Sequence, residues 1–243
     1  MKPKVVASLL ACSSLILALS SQSGEAATTV ELIPGPSEDV TVIRGDGLDD
    51  RLQVIWRGDR KYTVVSGGKL SGDGCAPARP RHLRCVLGRY VAVAEVYGGS
   101  GADRISLRGT PRAFGITGNG GPDVLHGSSS DEVLTGSQGN DQINGAGGDD
   151  VLGGESNNVR RPSNPGDDTL RGGRGNDELG DYYELGADSF FGGPGRDVVD
   201  ATDSARDEQI NGGPGVDLCR IDRKDPEPRS CEEIKIVKPT PYD

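Results

Sequence analysis

Aspartate residues recur through the second half of the chain at a fixed place relative to glycines. Seven segments follow the nine-residue pattern G-x-x-G-x-D-x-U-x, in which U is a large apolar residue or, in the last segment, Cys219. Carboxylates among glycines can bind Ca²⁺, because this ion takes six to eight oxygens from carboxylates and backbone carbonyls. The segments are 98–106, 118–126, 136–144, 145–153, 172–180, 192–200 and 212–220.

Each position of the nonapeptide suggests a role. Glycine at positions 1, 2 and 4 allows a positive φ and lets backbone carbonyls converge without a Cβ in the way. Aspartate at position 6 supplies a carboxylate ligand. The following x-U-x predicts a three-residue strand whose middle side chain points inward. Metal binding is therefore predicted in the turns, beside a narrow apolar column.

Weaker copies continue the nine-residue frame from residue 98 to residue 220. Two keep glycine at position 4, aspartate at position 6 and an apolar residue at position 8, namely 163–171 and 183–191. Three keep the apolar residue but lose the glycine at position 4 and the aspartate at position 6, namely 109–117, 127–135 and 203–211. Residues 154–162 carry Arg161 at the apolar position. We interpret them as an excursion from the stack that still fills one unit of the frame.

These units resemble the haemolysin-type, or RTX, calcium-binding nonapeptide G-G-x-G-x-D-x-U-x over residues 98–220. The resemblance implies a parallel β-roll in which two nonapeptides form one coil. It also implies that Ca²⁺ lies in the turns between loops of successive coils. The fold class expected is therefore all-β: a calcium-stacked solenoid with an N-terminal β cap and a C-terminal cap pinned by a disulfide.

Alternate units should lie on the same side of the roll. If 154–162 fills one unit, the units that begin at 98, 118, 136, 172, 192 and 212 share one edge. That edge would carry a nearly continuous calcium row, with sites between loops 98/118, 118/136, 172/192 and 192/212. The other edge has Phe114, Glu132, Asp150, Asp168, Asp188 and Glu208 at position 6. It would bind between 145/163 and 163/183 at most, so about four to six Ca²⁺ ions are expected in all.

The candidate calcium ligands are the position-6 carboxylates and the glycines of the good units. The carboxylates are Asp103, Asp123, Asp141, Asp177, Asp197, Asp217, Asp150, Asp168 and Asp188. The glycines are Gly98, Gly101, Gly118, Gly121, Gly136, Gly139, Gly172, Gly175, Gly192, Gly195, Gly212 and Gly215.

Composition indicates that folding depends on the ion. Aromatic residues make up 4% of the chain, and 38 residues are glycine. A chain so poor in large apolar groups cannot build a broad hydrophobic core. Binding Ca²⁺ would relieve the repulsion between stacked aspartates and add its binding free energy to folding. The alternative is a metal-free solenoid or a disordered tail.

The N-terminus predicts export. Lys2 and Lys4 precede an apolar stretch over 5–19, and small residues at 24 and 26 favour cleavage after Ala26. Residues 1–26 are therefore predicted to be a signal peptide of a secreted, extracellular or cell-surface protein. The alternatives are a transmembrane anchor, for which the apolar stretch is short, and a lipoprotein signal at Cys12. No later stretch predicts a membrane span.

Four cysteines remain after the predicted signal. Three pairings are open for Cys75, Cys85, Cys219 and Cys231, and neighbours in sequence make 75–85 and 219–231 the simplest guess. Oxidising surroundings outside the cell would keep such bonds closed. Free thiols or a zinc site are the alternatives, although no CxxC pair is present.

The segments on either side of the repeats predict caps. Alternating apolar residues over 27–97 predict short strands, and 45–53 is a degenerate nonapeptide with Asp50 and Leu52 in place. We interpret this region as an N-terminal β cap; the alternative is a small independent β domain. Residues 221–243 predict a C-terminal cap, with Ile234 and Ile236 in a last strand. Caps protect the open sheet edges of a solenoid.

Charge and motifs narrow the function. The net charge of −10 argues against nucleic acid as a partner. The chain has no GxSxG and no HExxH, and His82 and His126 fall in predicted turns. The sequence favours a non-catalytic calcium-binding scaffold or adhesive module with an unidentified protein or cell-surface partner. The alternatives place a small enzyme in 27–97, or cell adhesion at Arg44-Gly45-Asp46 or Arg57-Gly58-Asp59.

Overall fold

The computed structural model describes eleven stretches of the chain. They are residues 27–33, 39–56, 61–66, 69–72, 75–79, 82–86, 91–109, 114–154, 166–180, 186–203 and 205–238. All regular secondary structure within these stretches is β-strand. Two sheets contain every strand, so the all-β expectation is confirmed.

The larger sheet has eleven strands. In spatial order they are β5 (Lys69–Gly72), β1 (Ala27–Ile33), β2 (Asp39–Arg44), β8 (Val91–Ser100), β10 (Phe114–Gly120), β12 (Val133–Gln138), β14 (Val151–Gly153), β16 (Glu178–Gly180), β18 (Val198–Ala201), β20 (Leu218–Ile221) and β21 (Glu233–Ile236). From β2 onward every neighbouring pair is parallel.

The smaller sheet has ten strands. In spatial order they are β6 (Cys75–Arg79), β7 (His82–Val86), β4 (Lys61–Ser66), β3 (Arg51–Trp56), β9 (Arg104–Arg108), β11 (Val124–His126), β13 (Gln142–Gly147), β15 (Thr169–Arg174), β17 (Ser189–Phe191) and β19 (Gln209–Asn211). From β8 to β20 the chain alternates between the two sheets, which is the predicted parallel β-roll.

The core is a double column of apolar side chains, one from each strand of the roll. Each x-U-x strand turns its middle residue inward because side chains alternate across a strand. All members of the columns are at most 2% exposed. The larger sheet contributes Ile116, Leu134, Leu152, Leu179, Val199 and Cys219, and the smaller sheet contributes Ile105, Leu125, Ile143, Leu170, Phe190 and Ile210.

The excursion at 154–162 does not fill a unit of the stack. Leu152 is paired directly with Leu179, and Ile143 with Leu170. Each of these steps spans 27 residues, as do the matching hydrogen bonds in the turns, whereas ordinary steps span 18 or 20. Our prediction for this segment is therefore wrong. A unit with Arg161 inward would bury an unpaired charge, which is costly, and the stack proceeds without it.

The N-terminal strands extend both sheets of the roll. Strand β2 is parallel to β8, and β3 is parallel to β9, with Leu52 opposite Ile105. Residues 45–53 therefore form the first turn and strand of the stack, as the degenerate nonapeptide predicted. Beyond them, β1 with β2 and β3 with β4 are antiparallel. Both sheets run across residue 97, and a domain boundary there stays a prediction.

The two predicted disulfides differ in what the structure describes. Cys219 and Cys231 are bonded, with Cα atoms 5.9 Å apart, as predicted. Cys75 lies opposite Cys85 in the register of β6 and β7. The side chains of this second pair lie outside the described residues, so the bond stays a prediction.

The last strand is the one expected from Ile234 and Ile236. Strand β21 adds to β20 with Ile234 opposite Cys219 and Ile236 opposite Ile221. These two side chains are 45% and 68% exposed, and no further coil covers them within the described part of the chain. The C-terminal segment therefore extends the sheet and leaves the end of the apolar column open.

Candidate metal centres

Two rows of acidic residues line the turns of the roll. Each residue stands directly before a strand, except Asp207, which lies two residues before β19. The first row precedes the smaller sheet and contains Asp50, Asp103, Asp123, Asp141, Asp168, Asp188 and Asp207. The second row precedes the larger sheet and contains Glu132, Asp150, Asp177, Asp197, Asp217 and Glu232. All of them except Glu232 are at most 3% exposed.

Hydrogen bonds between coils hold each row in line. The backbone N–H of each acidic residue donates to the carboxylate of the next one along the roll. The N–H···Oδ1 distances are 2.7–3.0 Å in the first row. They are 2.8–2.9 Å in the second row, which ends on Glu232 Oε2 at 2.8 Å. One oxygen of each aspartate is therefore fixed by the fold itself.

The second oxygen of these aspartates is buried without a hydrogen bond. This holds for the Oδ2 atoms of Asp103, Asp123, Asp150, Asp177, Asp197 and Asp217. A buried charged oxygen without a partner is costly. A cation in the turn would supply the missing partner, and hard carboxylate and carbonyl oxygens suit Ca²⁺. The residues present therefore fit calcium.

The glycine at position 1 is needed for space at this oxygen. A Cβ on Gly118 would collide with Asp123 Oδ2 and would lie 2.7 Å from the carbonyl oxygen of Gly136 in the next coil. Gly118 does not have a positive φ. The conformational role that we predicted for position 1 is therefore wrong there, and close approach of oxygens explains the glycine.

Position 2 is where the turn requires a positive φ. The value lies between 77° and 119° in every good unit, including the three units that lack glycine there. Those three carry Asn119, Ser137 and Ala146. Stacking of the coils therefore enforces a positive φ even at non-glycine residues, which rarely adopt it.

Burial disfavours the ionised form of these carboxyl groups when no cation is present. It raises the pKa of Asp123, Asp150 and Asp197 to about 7 and that of Asp103 to about 6, from 3.8. Neighbouring carboxylates raise these pKa values further, and the backbone N–H donors oppose the rise. The cause is loss of water around the charge, which a bound cation offsets.

The placement of the predicted ligands differs from our expectation on one point. Asp103, Asp123 and Asp141 lie in the first row, but Asp177, Asp197 and Asp217 lie in the second. The predicted single row of six is therefore wrong. Because the excursion adds no strand, every unit after it joins the opposite sheet from the one we assigned.

Most predicted loop pairs still lie next to each other. Loops 98/118, 118/136, 163/183, 172/192 and 192/212 are neighbours along their rows. Loops 145 and 163 are not, because they stand on opposite edges. Loop 136 faces loop 163 instead, and loop 145 faces loop 172.

Both rows also contain residues that the consensus did not identify. Asp50 opens the first row, and its Oδ1 lies 3.4 Å from the Thr28 hydroxyl, which replaces the N–H of a preceding coil. Glu132 opens the second row, and its carboxylate accepts the N–H and Oγ–H of Ser128. Asp50 had a signal in the degenerate nonapeptide. Glu132 had a weaker signal, since the nine-residue frame places it at position 6 but its unit has Ser130 in place of the second glycine.

The first Arg-Gly-Asp tripeptide forms part of the opening turn. The Arg44 guanidinium lies 4.7 Å from the centre of the Tyr97 ring. The N–H of Asp46 donates to Asp50 Oδ2 at 3.0 Å, and Asp46 Oδ1 accepts the N–H of Leu48. These contacts give the residues of the tripeptide a structural role in the turn, and its use in cell adhesion stays a prediction. Arg57-Gly58-Asp59 lies outside the described residues.

Two sheets of largely parallel strands, joined through turns that carry buried acidic residues, define a β-solenoid. The family model described as RTX calcium-binding nonapeptide repeat matches the chain in four copies, over residues 117–152, 163–179 and 184–204. These parts of the chain match the model of that repeat family, and the resemblance drawn from the sequence is confirmed. The match omits residues 153–162, which lie within the 27-residue step from Leu152 to Leu179. RTX repeats bind calcium, and the buried carboxylates are consistent with this.

The remaining comparisons add no relative. No curated protein and no solved structure has significant similarity to the chain. Among the residues that the structure describes, no helix is long and apolar enough to cross a membrane.

Proposed function

We propose that the chain is an extracellular, non-catalytic calcium-binding protein whose roll folds on Ca²⁺ and serves as a structural or adhesive scaffold. One observation carries the proposal: both edges of the roll hold buried aspartate oxygens that lack a hydrogen-bond partner. Such an arrangement is unfavourable at neutral pH until a cation is bound. Ca²⁺ binding and folding are therefore one process in this protein.

The rows support up to seven calcium sites of the repeat type. Each lies between two neighbouring loops that both carry aspartate at position 6. The first row would hold ions between loops 98/118, 118/136, 136/163 and 163/183. The second row would hold ions between loops 145/172, 172/192 and 192/212.

Secretion is supported by two features. Residues 1–26 read as a cleavable signal, although they lie outside the described residues. The disulfide between Cys219 and Cys231 is stable in oxidising compartments and rare in the cytosol. Extracellular calcium would saturate sites as weak as about 10⁻³ M, the range of extracellular modules.

A scaffold role is supported by where the acidic groups lie. Their positions follow from the repeat and continue along the whole roll, whereas a catalytic centre gathers different groups at one place. An enzyme would need its catalytic residues within 27–97, where the motifs of common hydrolases are missing from the sequence.

Circular dichroism of the mature protein tests the proposal. Chelator should leave a spectrum with little β signal, and Ca²⁺ added to about 10 mM, above the range of extracellular modules, should produce a cooperative gain. Mg²⁺ at equal concentration should not replace it, because Mg²⁺ retains its water more strongly. A spectrum that is fully folded in chelator and unchanged by Ca²⁺ would overturn calcium-dependent folding.

A further inference from the structure

Three aspartates meet at the C-terminal end of the first row, and two of them belong to a unit that lacks the nonapeptide motif. They are Asp188, Asp203 and Asp207, which are 0%, 3% and 3% exposed. One carboxylate oxygen from each lies within 4.8 Å of the other two. Unit 203–211 has no glycine, and the consensus places Glu208, not Asp207, at position 6.

A local irregularity brings Asp207 into the row. The backbone N–H groups of Glu208 and Gln209 both reach the carbonyl of Asp188, at 2.8 and 3.3 Å. This doubled contact accommodates one extra residue before the strand. Asp207 therefore lies where the other units have their position-6 aspartate. Its Oδ1 accepts the N–H of Asp188 at 3.0 Å. Its Oδ2 is buried without a hydrogen bond.

Asp203 stands at position 1, where every good unit has glycine. Its Oδ1 accepts the N–H of Ala205 at 2.8 Å, which fixes the turn. Its Oδ2 is also buried without a hydrogen bond. The Asp203 carboxylate therefore lies at the position where the good units have glycine and offer only backbone groups to an ion.

We propose that Asp188, Asp203 and Asp207 form a separate Ca²⁺ site with a higher negative charge than the repeat sites. A repeat site draws on two aspartates, one from each loop, whereas this site draws on three. Attraction for a cation increases with ligand charge, and carboxylate number tunes calcium affinity in proteins. The site should therefore bind Ca²⁺ first in a titration and should prefer a trivalent lanthanide even more strongly.

The same site joins the roll to the C-terminal segment. The N–H of Asp207 donates to Asp225 Oδ1 at 3.3 Å, and the N–H of Asp222 donates to Asp225 Oδ2 at 2.7 Å. An ion at Asp207 would offset the negative charge that Asp225 brings close to it. Occupancy of this site would thus hold the last turn of the first row against residues 222–225.

Isosteric variants test the proposal because asparagine keeps the structural oxygen. Asp203→Asn and Asp207→Asn retain Oδ1 as the acceptor for Ala205 and Asp188 while removing the charge. Each should reduce the Ca²⁺ bound at saturation by about one ion, measured by equilibrium dialysis with metal analysis. The tightest phase of a Tb³⁺ luminescence titration should weaken at least about 10-fold. Asp203→Gly, which restores the consensus glycine, should weaken that phase equally.

Two controls separate this site from the repeat sites. Asp167→Asn changes an exposed aspartate whose Oδ1 holds the N–H of Ala187, and it should leave both measurements unchanged. Asp197→Asn, in the second row, should lose repeat-site ions but keep the tightest Tb³⁺ phase. Circular dichroism in Ca²⁺ should show each variant folded.

The outcomes separate this inference from the proposed function on which it rests. One outcome is that the wild type binds Ca²⁺, while the folded Asp203→Asn variant keeps the full number of ions and the tightest Tb³⁺ phase. That outcome would overturn the separate site and leave the repeat sites in place. The same result from Asp207→Asn would exclude Asp207 as a ligand and overturn the separate site in the same way. If the wild type binds no Ca²⁺, the proposed function itself fails.

Discussion

At the scale of the residue, the aspartate in each of the seven good units uses its two carboxylate oxygens differently. Oδ1 accepts a backbone N–H from the preceding coil, and Oδ2 points to the glycine that opens its own turn. The first contact is present in the protein alone, and the second needs a cation. Substitution by asparagine therefore separates the two roles, because it preserves the acceptor and removes the charge.

Asp150→Asn tests this division in the second row. The amide oxygen should keep the 2.8 Å bond from the N–H of Glu132, while the site between loops 145 and 172 loses a ligand. The Ca²⁺ concentration at the midpoint of folding should rise at least about 10-fold, which corresponds to about 1.4 kcal/mol. Circular dichroism during a calcium titration gives this midpoint.

The adjacent residue provides the matched control. Asp149 is exposed, and its Oδ1 accepts the N–H of Asn176, one coil along, at 2.8 Å. Asn176 makes the same contact with Arg196, so asparagine is already tolerated at this position. Asp149→Asn should leave the midpoint within about 2-fold of wild type, within about 0.5 kcal/mol. Equal shifts for both variants would contradict a specific role of Asp150.

At the scale of the element, a unit joins the stack only if it offers an apolar side chain to the core. Strands as short as Val151–Gly153 and Glu178–Gly180 suffice, since each contributes one buried leucine. The segment between Gly154 and Gly166 offers arginine instead. The strands before and after this segment stay in register. Its additional residues lengthen an ordinary 18-residue step to 27.

Deletion of residues 155–163 tests this account. It would join Gly154 to Asn164 and create the unit GNPGDDTLR, a better nonapeptide than the present 163–171. The variant should fold on Ca²⁺ with the wild-type number of ions and equal or higher thermal stability, because a long connection is removed. Calorimetry in Ca²⁺ and metal analysis measure both.

Deletion of the in-stack unit 136–144 is the control of equal length. It removes Ile143 and Asp141 and would move every later strand to the opposite sheet. Loops that now match along a row would then meet different partners, so this variant should lose calcium sites and stability. A loss of the same size in the 155–163 deletion would mean that the excursion belongs to the stack.

At the scale of the whole molecule, calcium and protons compete for the same buried carboxylates. Burial raises the pKa of Asp123, Asp150 and Asp197 to about 7 in the folded protein. In the unfolded chain these groups titrate near 3.8. Between these values the calcium-free folded protein holds more protons than the unfolded chain, so its stability decreases as pH rises.

We therefore expect opposite pH dependence with and without calcium. In metal-free buffer the β signal and Tm should be highest near pH 4 and should fall towards pH 7, because stabilisation by raised pKa values is lost as these groups ionise. In saturating Ca²⁺ the order should reverse, since ligands must be deprotonated to bind. Thermal scans from pH 4 to pH 8 distinguish the two. A metal-free Tm that rises over this range would contradict the assignment.

Much of the roll follows from local sequence. The inward residue of each unit, the aspartate before each strand and the Cys219–Cys231 bond were all predictable. The inward residues and the aspartates depend on spacing within nine residues, because side chains alternate in direction along a strand. The disulfide joins cysteines that are near neighbours in the sequence. The first row could be traced back to Asp50 for the same reason, because its unit keeps aspartate and leucine at the right spacing.

Only the tertiary structure decided which edge each aspartate occupies. That assignment depends on whether one nine-residue segment enters the stack, and this is settled by burial against neighbouring coils rather than by residue count. Asp203 and Asp207 were hidden for a related reason: a doubled backbone contact at Asp188 shifts position 5 into the place of position 6. Sequence fixes local conformation over a few residues, whereas register across coils is set by the contacts that the folded sheets make with each other.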